Sequence, residues 1–318
     1  MNQCKTQNIV APLTQSATFL VFSIKGEQRE SIETIKSTLG STSDLIKNIN
    51  IRDNTARFAC TVGIGNKAWD CLFGQKGKPK ELHAFKEVRG KKHVAVSTPG
   101  DLFYHIRSDR RDLCFEFERQ LTDMLDDSVK VEDVTVGFRY FDTRDLLGFV
   151  DGTANPQDAE ALEAAYITPS IDPSESAIGG SYVLIQKYKH DIKSWKTLST
   201  EKQESILGRR KFDNVELEDA DEKAQKSHKT LCTISASDGG ERAILRDNMP
   251  FGSPAENMFG TYFIGYSREL WVMEKMLERM YCGDPDGLHD RTLDYSTPQT
   301  GSVFFAPSMD VLDSLGDD

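Results

Sequence analysis

A unit of strand, helix, strand, strand, helix and strand can be read in the first 140 residues, and the same order begins again beyond residue 151. Residues 17–24 (Ala-Thr-Phe-Leu-Val-Phe-Ser-Ile) are an apolar run of strand length, and the spacing Ile32, Ile35, Leu39 predicts a helix from about Glu27. Residues 56–64 alternate like a second strand, and 93–96 and 102–106 read as further ones. A helix over 109–125 precedes a closing strand over 129–140, whose apolar content is Val131, Val134, Val136 and Phe138. After the Asp-Gly and Asn-Pro breakers near residue 151, residues 181–186 match the opening strand and 192–211 read as helix, with Leu198, Ile206 and Leu207 apolar. Residues 260–267 then lead into a helix over 268–281, and 301–306 form the last strand. Strands that feed helices and pair within their own half give two α+β units, each an antiparallel sheet with helices on one face. The expected division is 1–142 and 143–318, in keeping with a chain of 318 residues, roughly twice the usual domain length.

A formal charge of -11 gives no electrostatic footprint for a phosphate backbone or an anionic membrane surface, so neither nucleic acid nor membrane is an expected partner. The short lysine runs at 76–80 and 91–92 read as solvated loops. Cysteines at 4, 60, 71, 114, 232 and 282 form no C-x-x-C pair, which suits separate thiols in a reducing cytoplasm. The N-terminus carries neither a basic segment leading into an apolar run nor a twin arginine, so export is not expected. No apolar stretch is long enough for a transmembrane helix.

Three segments carry groups suited to chemistry, and each has a plain structural alternative. In Gly148-Phe149-Val150-Asp151-Gly152-Thr153-Ala154-Asn155-Pro156, turn formers hold Asp151 at a bend where backbone can approach a ligand, although Asp-Gly is also simply a good turn. His228, in Lys226-Ser227-His228-Lys229, makes no H-x-x-H or H-E-x-x-H pairing with His83, His93, His105, His190 or His289. Single-histidine chemistry, led by axial ligation of haem, remains beside a surface or capping role. Leu245-Arg246-Asp247-Asn248-Met249-Pro250-Phe251-Gly252 ends an apolar run in a charged, amide-bearing turn. Arg246 and Asn248 could aim two kinds of donor at one oxygen, or Arg246 and Asp247 could be a surface pair.

Taken together these motifs resemble the dye-decolorizing peroxidase family, most closely its cytoplasmic bacterial branch. The likeness continues in Gly179-Gly180-Ser181-Tyr182-Val183, in Ile206-Leu207-Gly208-Arg209, in 260–266 and in Asp290-Arg291-x-Leu293-Asp294-Tyr295-Ser296. It is strongest from Val136 onward. The resemblance implies two tandem ferredoxin-like domains with one haem b in the second. It implies His228 as the proximal iron ligand, with Asp290 accepting its other ring N–H and Asp294 as a nearby competitor. Asp151, Arg246 and Asn248 would form the distal, catalytic face. Gly152 and Thr153 would touch the cofactor, and Arg209 is the candidate for a propionate.

The implied activity is reduction of hydrogen peroxide and oxidation of dyes, phenols or other one-electron donors through a ferryl intermediate. Trp195 and Trp271 are the expected surface aromatics for electrons leaving a buried site. The alternative within this fold is a haem- or porphyrin-binding protein for storage, transfer or processing, needing His228 but not Asp151 or Arg246. Relatives assemble variously, so a homo-oligomer is expected. The sequence ends at Ser314-Leu315-Gly316-Asp317-Asp318 without a longer apolar tail, so docking into an encapsulating shell is not expected.

Overall fold

Four strands of the first half, β1 (Ser16–Ile24), β2 (Ala59–Gly65), β3 (Leu102–Ser108) and β4 (Val129–Phe138), make an antiparallel sheet in the order β4-β1-β3-β2. The second half provides β5 (Ser181–His190), β6 (Leu245–Arg246), β7 (Met249–Ser253), β8 (Met258–Ser267) and β9 (Ser302–Ala306). Here β6 and β7 both pair with β8, and β8 is followed by β5 and then β9. In both halves the first and third strands are central and the second and fourth are outer, which is the ferredoxin-like order. The computed structural model describes residues 4–26, 28–75 and 77–316. Glu27, Lys76 of the basic run, the first three residues and the terminal Asp317-Asp318 lie outside the described residues.

Side-chain alternation along each strand explains how the halves combine. On one face of the first sheet, Leu20, Phe22, Val62, Ile64, Tyr104 and Ile106 pack with helices α1 (Arg29–Gly40) and α2 (Arg111–Leu125). On the other face, Ala17, Phe19, Val21 and Phe103 meet Val183, Ile185, Tyr262, Ile264, Tyr266 and Phe304 of the second sheet. The helix-free faces thus bury each other. Phe19 stands at the centre of this seam, stacked on Tyr262 at 4.0 Å between ring centroids and on His105 at 4.8 Å. The sheets are also joined edge to edge, where Phe304 and Phe305 of β9 pair with Gly65 and Ile64 of β2.

The second half adds α3 (His228–Cys232) and α4 (Leu270–Cys282), with α4 on the helical face of its sheet through Val272, Met273 and Leu277. No helix among the described residues is long and apolar enough to cross a membrane.

Three local expectations need correction. The helix read over 192–211 is two short ones, Ile192–Trp195 and Thr200–Leu207, because Ser199 caps the second by accepting from the Lys202 N–H. Gly208 ends it with a φ of 86°, and a Cβ there would strike Ser227 at the start of α3. Of residues 93–96, only Val94–Ala95 is strand, paired with Val88–Arg89 outside the main sheet. The presumed Pro-Gly turn after Asn248 is strand β7, which pairs with β8 alone and so tolerates Pro250. The actual turn lies at Pro254–Glu256, closed by Asn257 in the left-handed conformation.

Because Phe19 is fully buried between rings of both halves, Phe19→Ala should cost about 3–5 kcal/mol. The loss should appear as a lower urea midpoint, and a change below about 1 kcal/mol would contradict a close-packed seam.

Candidate active site

A cavity of about 370 Å³ opens on the helical face of the second sheet, a size usual for small-molecule and cofactor sites. Its walls are largely apolar, with Leu147 and Phe149 from the loop before residue 151, Leu184 from β5, Phe263 from β8 and Met273 and Met280 from α4. His228, Asp151 and the pair Arg246 and Asn248 reach this one space from three separate segments, so the sequence motifs converge. Arg209 lines it as well, as do Gly152 and Thr153.

His228 is the first residue of α3, whose N-cap is Ser227, its hydroxyl accepting from the Thr230 N–H. The cap fixes the helix start and hence the ring position. His228 Nδ1 lies 2.6 Å from Asp290 Oδ2, which leaves Nε2 as the ring nitrogen for a ligand. Asp290 is fully buried and begins the turn Arg291–Asp294. Its Oδ1 accepts from the Thr292 backbone N–H and hydroxyl at 2.9 and 2.7 Å. Burial disfavours both charges, but the Cys232 sulfur and the Asp290 carboxylate hold the imidazole well above its ordinary pKa. The same burial acts on Asp290, and His228 with Thr292 keeps that carboxyl below its usual range.

Asp294, the competitor, faces elsewhere: its carboxylate takes His93, His289, Lys92 and Arg291. Cys232, one turn beyond the histidine, places Sγ 3.7 Å from Nδ1 and 3.8 Å from Nε2. That neighbour was not anticipated, although its i+4 spacing on a helix predicts it.

Asp151 sits at the foot of a tight hairpin in which Arg144 bridges Val150 and the Asp151 N–H donates to the Thr143 carbonyl. Gly152, with φ at 80°, turns the chain so that its N–H donates to Asp151 Oδ1 at 2.7 Å. Asn248 Nδ2 donates to the same oxygen at 3.4 Å, while Asn248 Oδ1 accepts from the Ile264 N–H at 3.1 Å and so holds its place on β8.

Arg246 is positioned by a residue the sequence reading quoted without a role. Asn155 Oδ1 accepts from the Arg246 N–H at 2.9 Å, and Asn155 Nδ2 donates to the Arg246 carbonyl at 2.5 Å. A single side chain thus replaces a neighbouring strand. The Arg246 Nε is buried and has no hydrogen-bond partner among the described residues. The proposed Arg246-Asp247 surface pair does not form, because Asp247 is buried on the other side of the strand.

The remaining site residues differ from expectation in detail. Arg209 donates to Glu216 at 2.7 Å and to the Asn214 carbonyl at 3.2 Å, so its guanidinium is already partly engaged. Thr153 accepts from Asn214 at 2.8 Å. Trp195 is a core residue rather than a surface aromatic, its indole N–H on the Leu147 carbonyl and its ring against Tyr295 and Phe149. Trp271 is partly buried and donates to Glu269.

Two family models cover the chain: Dyp-type peroxidase, N-terminal, over residues 6–139, and Dyp-type peroxidase, C-terminal, over 142–311. A dye-decolorizing peroxidase of Brevibacterium linens is 47% identical over 309 residues, covering 96% of this chain and 82% of the relative. DyPB from Rhodococcus jostii RHA1 superimposes with a TM-score of 0.93 at 46% identity, covering 98% of each chain, and variants of it are known in complex with heme. The encapsulated DyP-type peroxidase from Mycobacterium smegmatis superimposes with a TM-score of 0.92 at 45% identity, again over 98% of each chain. That neighbour does not fit the expectation of no docking into a shell here.

One further carboxyl on the cavity wall has an unusual balance. Burial raises Asp145 to about 7, aided by the nearby charge of Asp151 and only partly offset by the Phe149 N–H, which donates to it at 2.9 Å. Its folded-state pKa lies above that of an unfolded Asp, so its contribution to stability is complete below about pH 4 and is lost as pH rises through 7. Asp145→Asn keeps the acceptor and removes the charge. Its melting temperature should match wild type at pH 4 and exceed it by roughly 2–4 °C at pH 8. Equal melting temperatures at both pH values would contradict the assignment.

Proposed function

The chain belongs to the Dyp-type peroxidase family and is a haem-dependent peroxidase, and from that premise we propose that His228 holds the iron while Asp151, Arg246 and Asn248 act on hydrogen peroxide. The carrying observation is that these four side chains share one apolar cavity, with His228 backed by a buried carboxylate and Arg246 left without one. This donor set fits haem: an imidazole with Nε2 open, apolar walls for a macrocycle, and buried N–H groups at Arg246 Nε and Gln186 Nε2 without partners among the described residues. Gly152, Thr153 and Arg209 are the proposed polar rim of the cofactor, Arg209 toward a propionate.

When bound, haem b would supply the two electrons that reduce peroxide and would be restored by two one-electron donors. Balance requires H2O2, two electrons and two protons to give two waters. The Asp290 carboxylate accepts a hydrogen bond from His228 Nδ1–H, which fixes the tautomer and raises the electron-donating strength of Nε2. The Asp151 carboxylate takes the proton from the inner peroxide oxygen and delivers it to the outer one. The Arg246 guanidinium stabilises the negative charge that develops on the outer oxygen as the O–O bond breaks. Asn248, anchored on β8, keeps Asp151 in the orientation this requires.

The same reading places the division between the halves at residues 142 and 143, where the chain leaves β4 for the hairpin that carries Asp151. A cytoplasmic setting belongs to the same proposal, and a homo-oligomer is supported by the exposed apolar row Val134, Val136 and Phe138 on the outer strand β4. Dyes and phenols are the proposed donors.

Arg246→Leu and Asp151→Ala should each bind haem yet lower the second-order rate with hydrogen peroxide by about 10²–10⁴ in one or both variants. His228→Ala should lose the haem Soret band on gel filtration. Both distal variants reacting at the wild-type rate with full haem content would favour a haem-handling role.

A further inference from the structure

Asp247 lies between two residues of the proposed distal face, and its own side chain points away from the cavity into the seam between the sheets, where it is 4% exposed. Every charged group it meets there comes from the first half. Arg107 Nη1 of β3 donates to Asp247 Oδ2 at 3.1 Å, and Arg139 Nη2, just beyond β4, stands 3.7 Å from Oδ1. His105 Nε2, also on β3, is 3.8 Å from Oδ2. Arg107 is 1% exposed and is held in turn by the carbonyls of Asn8 and Ile9 and by the Thr61 hydroxyl, so it cannot follow Asp247 if the strand shifts. His105 is neutral, because burial and then Arg107 drive its pKa well below the ordinary value, and its Nδ1 pairs with the Tyr266 hydroxyl at 2.9 Å. One carboxylate therefore faces two guanidiniums.

The segment that carries Asp247 is weakly held by the sheet itself. Pairing with β8 lapses between Arg246↔Gly265 and Met249↔Tyr262, where the Asp247 N–H reaches the Ile264 carbonyl at 3.3 Å and the Asn248 side chain takes the Ile264 N–H. The distal segment therefore depends on side chains for its place. Were Asp247 released, its carboxylate would be the nearest in sequence to Arg246.

We propose that Asp247 is a positioning residue for the peroxide reaction: by engaging Arg107 and Arg139 across the seam, it fixes Arg246 and Asn248 toward the cavity and leaves Arg246 without a carboxylate partner. The first half of the chain, which among the described residues contributes no side chain to the cavity wall, then has a defined part in the chemistry. This rests on the role given to Arg246 above.

The opposing possibility is that Asp247 and Arg107 only staple the halves together, and a second ion pair across the halves provides the control. Lys187 of β5 donates to Asp133 of β4 at 2.7 Å without touching the distal segment. The haem-loaded variants Asp247→Asn, Arg139→Gln, Asp133→Asn and Arg246→Leu, with the double variant Asp247→Asn/Arg246→Leu, should be compared in melting temperature, in second-order rate with hydrogen peroxide and in cyanide affinity from the Soret shift. Asp247→Asn should slow the peroxide step about tenfold or more and weaken cyanide to a similar degree, because a small misplacement of a reacting group is costly in rate. Arg139→Gln should show about a threefold loss of both, and Asp133→Asn should stay within about twofold of wild type even where it melts earlier. In the Arg246→Leu background, Asp247→Asn should add less than about twofold, the signature of action through that arginine.

Asp247→Asn at the wild-type rate and cyanide affinity, beside a slow Arg246→Leu, overturns this proposal alone. Arg246→Leu at the wild-type rate overturns the reading beneath it as well. If Asp247→Asn does not fold, Arg139→Gln decides by the same readouts, and its equality with Asp133→Asn counts against positioning.

Discussion

Two sheets, each covered by helices on one side only, leave two bare apolar faces, and the burial of these faces against each other is the constraint on which the rest of the molecule depends. It commits alternate residues of every central strand to the seam: Phe19 rather than Leu20 on β1, Phe103 rather than Tyr104 on β3, Tyr262 and Ile264 on β8. The cavity can then lie only on the far, helical side of the second sheet, between β5, β8 and α4. A residue's position along a strand decides whether it meets cofactor or the other half. Neighbours in sequence have opposite fates, as Arg246, Asp247 and Asn248 show.

Polar groups within such a seam must satisfy one another, since water does not reach them. His105 Nδ1 meets the Tyr266 hydroxyl and Arg107 donates to Asp247 Oδ2 among aromatic rings, while His105 Nε2 and Asp247 Oδ1 have only ion-pair neighbours at 3.8 and 3.7 Å among the described residues. The proximal side follows the same rule at smaller scale: Asp290 is tolerated at full burial because His228 and Thr292 together occupy both of its oxygens. In each case a buried carboxylate takes at least one donor from a different element, and the site acquires its geometry from that requirement.

The alternation of apolar residues made the strands of both halves legible, and the turn residues after Gly148 marked a bend at Asp151. Strand β7 was missed because Met-Pro-Phe-Gly-Ser reads as a turn when judged locally; only an outer strand with one partner admits its proline. The helix over 192–211 was overextended because Leu198, Ile206 and Leu207 keep an apolar pattern across the Ser199 cap. The convergence of His228, Asp151 and Arg246 came from resemblance, not from spacing, for no local rule brings residues so distant in sequence to one cavity. Asn155 carried no separable signal because its work is done on the backbone of a residue 91 positions away. Asp290 was preferred to its competitor Asp294 on resemblance alone, and the structure separates them by which imidazoles each receives.

The two bonds from Asn155 to the backbone of Arg246 make the loop after Asp151 and the short strand β6 a single mechanical unit. Thermal motion of the sheet or opening of the cavity mouth therefore carries the carboxylate and the guanidinium together, in the manner of two teeth on one key. Their separation is set in part by this one amide, a local tie that does not depend on the size or sequence of the surrounding loops.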